Sequence, residues 1–285
     1  MFERELEVAI SLARKAGDCI MEFYEKGFQV HQKILKNDFV EPVTEADKTA
    51  GEIIVSGLKE IFPEDGILSE EAEDNPERLS KQRVWIIDPI DGTKGFVEKA
   101  KDFAVHIGLA YQDRPVVGVV YQPALRRLFF ASEGKGAFLS ENESPPQRLH
   151  VSEKDEFEEM TLVTSRLHRS PKISEIFNRL NFKNQIAHGS VGLKIGLIAE
   201  GKADVYIHLS PHTKFWDTCA PQAILEEAGG VLTDLFGEKI KYNLSDTQNY
   251  NGILATSRKV HQKLTDKLRP ILAELGRFKI ESRRN

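Results

Sequence analysis

Val84-Trp85-Ile86-Ile87-Asp88-Pro89-Ile90-Asp91-Gly92-Thr93 is the stretch on which the reading of the whole chain turns. The apolar head, residues 84–87, reads as a buried strand that ends where the acids begin. Two carboxylates three residues apart, across a turn stiffened by Pro89, can converge on one point. Gly92 has no Cβ to keep a ligand off the backbone, so its N–H can be offered freely. Thr93 adds a hydroxyl that can hold a water. Together these oxygens suit hard cations beside a phosphate. The same residues also make an ordinary turn, since Asp-Pro and Asp-Gly pairs are common turn formers and acids at strand ends are usually solvated. Partners elsewhere in the chain decide between the two readings.

The chain has 285 residues, 40% of them hydrophobic and 29% charged, which fits one large globular domain or two packed lobes. A net charge of −5 offers no basic field to a nucleic acid. A small anionic substrate would need bound cations or local Lys and Arg. Cys19 and Cys219 lack C-x-x-C spacing, which argues against a disulfide framework or zinc knuckle and fits a reducing compartment. The charged start, Met1-Phe2-Glu3-Arg4-Glu5, does not have the layout of a signal peptide, and no apolar run approaches the roughly 18 residues of a membrane span. A soluble cytoplasmic protein is expected, without nucleic-acid or membrane partners and compatible with an oligomer.

Leu6, Ile10, Ala13, Ala16, Ile20 and Phe23 recur at helical spacing, which predicts an amphipathic helix from residue 3 to about 25. Thr44 with Asp47 resembles a capping box opening a second helix, which Phe62-Pro63 ends. A short strand at 67–68 runs into Glu70-Glu71, and 75–83 is polar and loop-like. After the central motif, β-rich runs at 103–110, 115–122, 127–131 and 136–139 read as an antiparallel meander. Residues 141–150, with Pro145-Pro146 inside, make the best linker. Beyond it strands (161–165, 203–209, 231–234, 252–255) mix with helices (171–180, 191–200, 218–228, 258–275). The expected division is an N-terminal α+β lobe, 1–145, and a C-terminal α/β lobe, 146–285.

Four features outside the central motif fit a metal and phosphate site. Glu70-Glu71 follows a strand end, as Asp88 does, although most Glu pairs are solvated surface acids. Asp217 stands at the start of a helix, where it is either a plain N-cap with Pro221 in the first turn or an N-cap facing a cleft. Asp47 carries the same ambiguity as a capping-box acid. Gly189-Ser190-Val191-Gly192-Leu193-Lys194 opens a helix and lacks P-loop spacing, but free N–H groups there, with Lys194 one turn in, would hold a phosphate. His208 and His212 are separated by Pro211 and a strand, which breaks the helix a zinc pair would need, and His106 inside a strand reads as a core or edge residue.

Taken together, Glu-Glu after a strand, Trp85-Ile86-Ile87-Asp88-Pro89-Ile90-Asp91-Gly92-Thr93, and Trp216-Asp217 before a helix ending in Ala228-Gly229-Gly230 resemble the lithium-sensitive phosphatases related to inositol monophosphatase. The resemblance runs through to 251–256. It implies a layered α/β sandwich of the inositol monophosphatase and fructose-1,6-bisphosphatase type. Lys94-Gly95-Phe96, and residues 210–221, look like the 3′(2′),5′-bisphosphate nucleotidase branch, with its place in sulfur assimilation. Thr164-Ser165-Arg166 with His168 is similar too, although Leu167 stands where Ser is more usual.

The resemblance further implies two or three Mg²⁺ ions held by Glu70, Asp88, Asp91, Asp217 and the Ile90 carbonyl. It gives Asp47 and Thr93, supported by Glu70, the task of orienting and deprotonating the attacking water. Gly92 and Thr93 N–H groups would face the phosphate. Ser165, His168, Ser190, Lys194 and Lys214 would face a nucleoside and its 5′-phosphate. The nearest rival is an inositol or sugar phosphatase with the same metals and a different pocket. A non-catalytic sensing module need not keep Asp47 and Thr93 beside the ligands, and a structural protein leaves the convergence of separated motifs unexplained.

Overall fold

The chain begins with two amphipathic helices whose apolar stripes face the same sheet. In the computed structural model, which describes residues 2–34, 40–166 and 170–281, α1 (Glu3–Lys26) buries Ala9, Leu12, Ala13, Ala16 and Ile20. A hairpin not anticipated from the sequence, β1 (Val30–Ile34) and β2 (Val40–Thr44), leads into α2 (Glu45–Ile61). The capping box is formed as expected: Asp47 Oδ2 accepts from the Thr44 N–H at 2.7 Å and from its hydroxyl at 2.6 Å.

Next come β3 (Gly66–Ser69), β4 (Arg83–Asp91), α3 (Thr93–Val97), β5 (Ala104–Tyr111), β6 (Arg114–Gln122), β7 (Arg127–Ser132), β8 (Gly136–Glu141) and β9 (Gln147–Arg148). Their strands form one seven-stranded sheet in sequence order, with β3 and β4 parallel and the rest an antiparallel meander. The polar 141–150 stretch thus supplies a strand to this sheet. β4 does not stop at Ile87; it continues to Asp91, and its pairing with β5 slips between Asp88 and Asp91. Pro89 lies within the slip, where its missing N–H breaks no ladder bond.

The second sheet has the order β11-β10-β12-β14-β13. It is built from β10 (Thr161–Ser165), α4 (Pro171–Leu180), β11 (Asn184–His188), α5 (Val191–Ala199), β12 (Val205–His208), α6 (Phe215–Glu227), β13 (Gly230–Thr233), β14 (Ile253–Ser257) and α7 (His261–Glu274).

Side-chain alternation along the central strands assigns the layers. Trp85 and Ile87 join α1 and α2 in one core, while Val84 and Ile86 face Phe215, Cys219 and Tyr242 on the opposite side. In the second sheet Val163, Tyr206, Ile253 and Ala255 face α5, whereas Leu162, Val205, Ile207 and Leu254 face α4 and α7. The outcome is the expected layered sandwich, helices and sheets alternating, with α5 and α6 between the two sheets. No helix among the described residues is long and apolar enough to cross a membrane.

α6 lies against the first sheet at paired glycines. Gly108 and Gly118 are opposite one another on β5 and β6. A Cβ on Gly118 would sit 2.2 Å from the Ala220 carbonyl oxygen, and one on Gly108 2.8 Å from Cys219 Sγ. The hollow left by two missing side chains is therefore filled by helix backbone. Gly118→Ala is expected to force the helix outward and to lower stability by about 2–3 kcal/mol, measured as a fall in the urea midpoint without a change in slope.

Candidate active site

The end of β4, the start of α6 and the starts of α2 and α5 meet at one acidic point. Asp88, Asp91 and Asp217 each bring a carboxylate oxygen within 4.8 Å of the others. Asp88 and Asp91 are buried and Asp217 half-buried. Three ionised carboxylates at 4.8 Å repel by about 3 kcal/mol per pair at an effective dielectric near 20, about 10 kcal/mol in all. That is comparable to the whole stability of a domain, about 5–15 kcal/mol. The cluster must be neutralised by protons or by cations.

The carboxylates differ in what surrounds them. Burial, followed by the charges of Glu70, Asp91, Asp217 and Asp47, pushes the Asp88 carboxyl well above the usual range. Its Oδ1 accepts from the Ile90 N–H at 3.0 Å. For Asp91 burial acts in the same direction, but the neighbouring His106, Lys194 and Ser190 overcome it and hold the carboxyl at about 2. Asp91 Oδ2 accepts from the Ser190 hydroxyl at 2.5 Å and from the Gly192 N–H at 3.0 Å, and lies 3.2 Å from His106 Nε2. Glu70 leaves the end of β3 half-buried, its N–H donating to the Ile87 carbonyl at 3.1 Å.

Asp217 is not an N-cap. α6 begins at Phe215, so Asp217 occupies its third position and accepts from the Lys214 N–H at 2.5 Å. It repeats the device of Asp47 in α2. Pro221 accordingly lies inside the helix rather than in its first turn. Asp47 turns its second oxygen toward the central motif: Oδ1 is 3.2 Å from Thr93 Oγ1, which is also 3.0 Å from the Ile90 carbonyl oxygen. Burial raises the Asp47 carboxyl to about 6, against the hydrogen bonds from Thr44 and Thr93. Gly92, at φ +94°, makes the turn into α3 and has the Asp102 carbonyl, the Ser190 amide and Phe103 packed around it.

The residues expected on the nucleotide side fare differently. Ser190 and Lys194, expected to face substrate, point inward. Ser190 is 5% exposed and spends its hydroxyl on Asp91, and its oxygen accepts from the Leu193 N–H. Lys194 is 3% exposed and donates to the Gly189 and Ser190 carbonyls at 3.2 and 2.6 Å, its pKa lowered by burial to about 8. The helix that carries them packs between two sheets, so its first turn faces the carboxylates and not solvent. Ser165 stays half-buried at the end of β10, paired in register with His188. Lys214 donates to Gln248 Oε1 at 2.8 Å. His168 lies outside the described residues.

His106 was not expected at the site. It is fully buried, opposite Asp88 in the β4–β5 register, and its Nδ1 faces the Trp216 carbonyl at 3.3 Å. The sequence carries little signal for this: α3 and the loop to residue 103 separate β4 from β5, so no turn length fixes the register that sets His106 across from Asp88. Gly192 belongs with it, because a Cβ there would fall 2.2 Å from His106 Nε2. Asp102 is a third, receiving a two-pronged Arg166 guanidinium at 2.8 and 3.1 Å and the Gly189 N–H at 2.7 Å.

Comparison with known proteins gives the family and the fold. Residues 2–273 match the model of the inositol monophosphatase family. The 3′(2′),5′-bisphosphate nucleotidase CysQ of Salmonella typhimurium is 36% identical over 240 residues, 83% of this chain and 93% of that protein. An inositol monophosphatase of Mesembryanthemum crystallinum is 34% identical over 261 residues, 88% of this chain and 93% of that protein. Among solved structures, CysQ from Bacteroides thetaiotaomicron superposes with a TM-score of 0.75 at 31% identity, covering 90% of this chain and 98% of that one. The Thermotoga maritima IMPase gives 0.79 at 28%, covering 96% and 100%. A layered sandwich with an acidic cluster at the meeting of its sheets is the frame of a metal-dependent phosphatase. The chain belongs to the inositol monophosphatase family.

Ser190→Ala removes both the donor to Asp91 and the cap of α5. It is expected to cost about 1–2 kcal/mol of stability, read from thermal unfolding, because a cap and a charge-assisted hydrogen bond are lost together.

Proposed function

We propose that the chain hydrolyses the 3′-phosphate of adenosine 3′,5′-bisphosphate, giving AMP and phosphate, with Mg²⁺ as its cofactor. The observation that carries this choice is that nucleotidase relatives at 32–36% identity coincide with the motif extension Lys94-Gly95-Phe96. An inositol phosphatase reading is kept as the second, because the Mesembryanthemum relative is 34% identical over a longer span.

The donor set suits a hard divalent cation: all-oxygen, carboxylate-rich and drawn so close that Asp88 would otherwise hold its proton. Glu70, Asp88, Asp91 and Asp217 with the Ile90 carbonyl would hold two or three ions. When bound, such ions supply positive charge for the phosphate oxygens and lower the pKa of the attacking water. The chain's own part is to orient and to move a proton. The Thr93 hydroxyl has one hydrogen to share between Ile90 and Asp47, so it can take a hydrogen bond from water while donating onward to Asp47. Asp47, with a pKa of about 6, is mostly ionised at neutral pH and still basic enough to accept that proton. Glu70 assists from the other side. The water oxygen bonds to phosphorus as the ester P–O bond breaks, and the released nucleoside oxygen takes up a proton. Gly92 and Thr93 N–H groups steady the phosphate. Ser165 and Lys214 would line the nucleoside side, to which the resemblance also assigns His168, while Ser190 and Lys194 act through Asp91.

Phosphate release from adenosine 3′,5′-bisphosphate, inositol 1-phosphate and fructose 1,6-bisphosphate, each with Mg²⁺, with EDTA and with Li⁺, tests the reading. The bisphosphate nucleotide should give the highest kcat/KM, EDTA should abolish turnover and Li⁺ should inhibit. A higher kcat/KM for the inositol ester would install the second reading instead.

Asp91→Asn should lower kcat/KM by about 10³ or more, roughly 4 kcal/mol of transition-state stabilisation, with unfolding still cooperative. Near-normal turnover in that variant would sink the assignment of the cluster.

A further inference from the structure

Arg78 is among the largest fully buried side chains of the protein, and nothing in the proposed chemistry uses it. It sits on a short 3₁₀ turn, Pro76–Ser80, in the polar stretch between β3 and β4. Its Nε and NH2 donate to Asp74 at 2.6 and 2.9 Å, and the same NH2 donates to the Leu244 carbonyl at 3.1 Å. NH1 is buried and has no hydrogen-bond partner among the described residues. The Asp74 side chain is 39% exposed, so the buried cation has only a half-solvated counter-charge.

Such an arrangement is a poor way to gain stability. A guanidinium with one partly exposed carboxylate and an orphaned N–H recovers little of its desolvation cost, and an apolar side chain could take its place against Gly66 and Val84. What the guanidinium does is join two loops. On one side, the segment after β3 starts at Glu70 and returns so that Arg78 packs on Gly66, where a Cβ would be 2.9 Å from Arg78 Cβ. On the other side, Leu244 belongs to a strap, residues 242–250, that holds the entry to α6. Phe215 N–H donates to the Thr247 carbonyl at 3.0 Å, Asn249 N–H to the Thr213 carbonyl at 2.8 Å, and Asn249 Nδ2 to the Lys214 carbonyl at 3.1 Å. Asp217 follows immediately.

We propose that Arg78 is a positioning residue for the metal site: it fixes the Glu70 loop relative to the strap that sets Asp217. The inference rests on reading those carboxylates as metal ligands. Its effect is on cation affinity, since a loose Glu70–Asp217 separation weakens ion binding before it alters chemistry at saturating metal.

The test is Mg²⁺ and Mn²⁺ titration of the purified chain by calorimetry and thermal shift, alongside phosphate release. In Arg78→Met, which keeps the apolar stem and removes the charge, the dissociation constant should rise about tenfold or more, the usual effect of removing an outer support of a metal ligand. At saturating metal kcat should stay within about threefold. Asp74→Asn, at a half-exposed position, should shift affinity the same way by a smaller factor, and it decides the matter if Arg78→Met does not fold. Affinity within about twofold of wild type in the folded variants would overturn the proposal, since a merely structural arginine moves the melting temperature and not metal affinity. Absence of metal binding to the wild-type chain would remove the ligand reading and this inference together.

Discussion

Like charges drawn to one point are the constraint around which this structure is arranged. Asp88, Asp91 and Asp217 come within 4.8 Å of one another, and their mutual repulsion, about 10 kcal/mol if all were ionised, rivals the stability of a whole domain. Something must hold them there. Asp88 and Asp91 are fixed by β4, which is buried on both faces, and Asp217 by α6, seated in the hollow of Gly108 and Gly118. Phe215, Tyr242, Leu68 and Ile86 pack between these elements, so the apolar cluster beneath the site opposes the repulsion above it.

The carboxylates are not equivalent, and the difference has a function in the proposed site. Asp91 is anchored: Ser190, Gly192 and His106 surround one of its oxygens, and His106, Lys194 and Ser190 favour its charged form against burial. Asp88 has one backbone donor and an excess of negative neighbours, so its charge depends on what binds. On the proposed reading, one carboxylate would be fixed before a cation arrives while another would respond to it. Lys194 contributes from below, its ammonium held on two carbonyls behind Asp91 and its charge opposed by burial.

Much of this was legible because local rules and global fold agree. The 84–87 run, the capping box at Thr44 and Asp47, and the meander after residue 103 each carry a period or a cap that tertiary structure had no reason to override. Other parts left no such mark. β11 is a polar, half-exposed edge strand, Asn184–His188, whose alternation carries no apolar signal. The start of α6 was misplaced because Asp217 looks like a cap, whereas the cap position is Lys214. His106 is silent for a different reason: its meaning lies in the cross-strand partner, which periodicity alone does not reveal.

Ser190 shows where local rules were set aside. It is a non-glycine residue at φ +47°, ψ +133°, a conformation that favours glycine and costs a side-chain-bearing residue about 1–3 kcal/mol. Glycine would fit the backbone without strain, yet its missing hydroxyl would leave Asp91 and the Leu193 N–H without their shared partner. Two hydrogen bonds, one of them to a buried carboxylate, offset that strain on ordinary magnitudes. Gly189 and Gly192 beside it have no such freedom in the other direction, because a Cβ at either would strike Asp102 or His106. Three constraints of opposite kind thus meet within residues 189–192: Asp91 sets the one at Ser190, His106 beside Asp91 the one at Gly192, and Asp102 the one at Gly189.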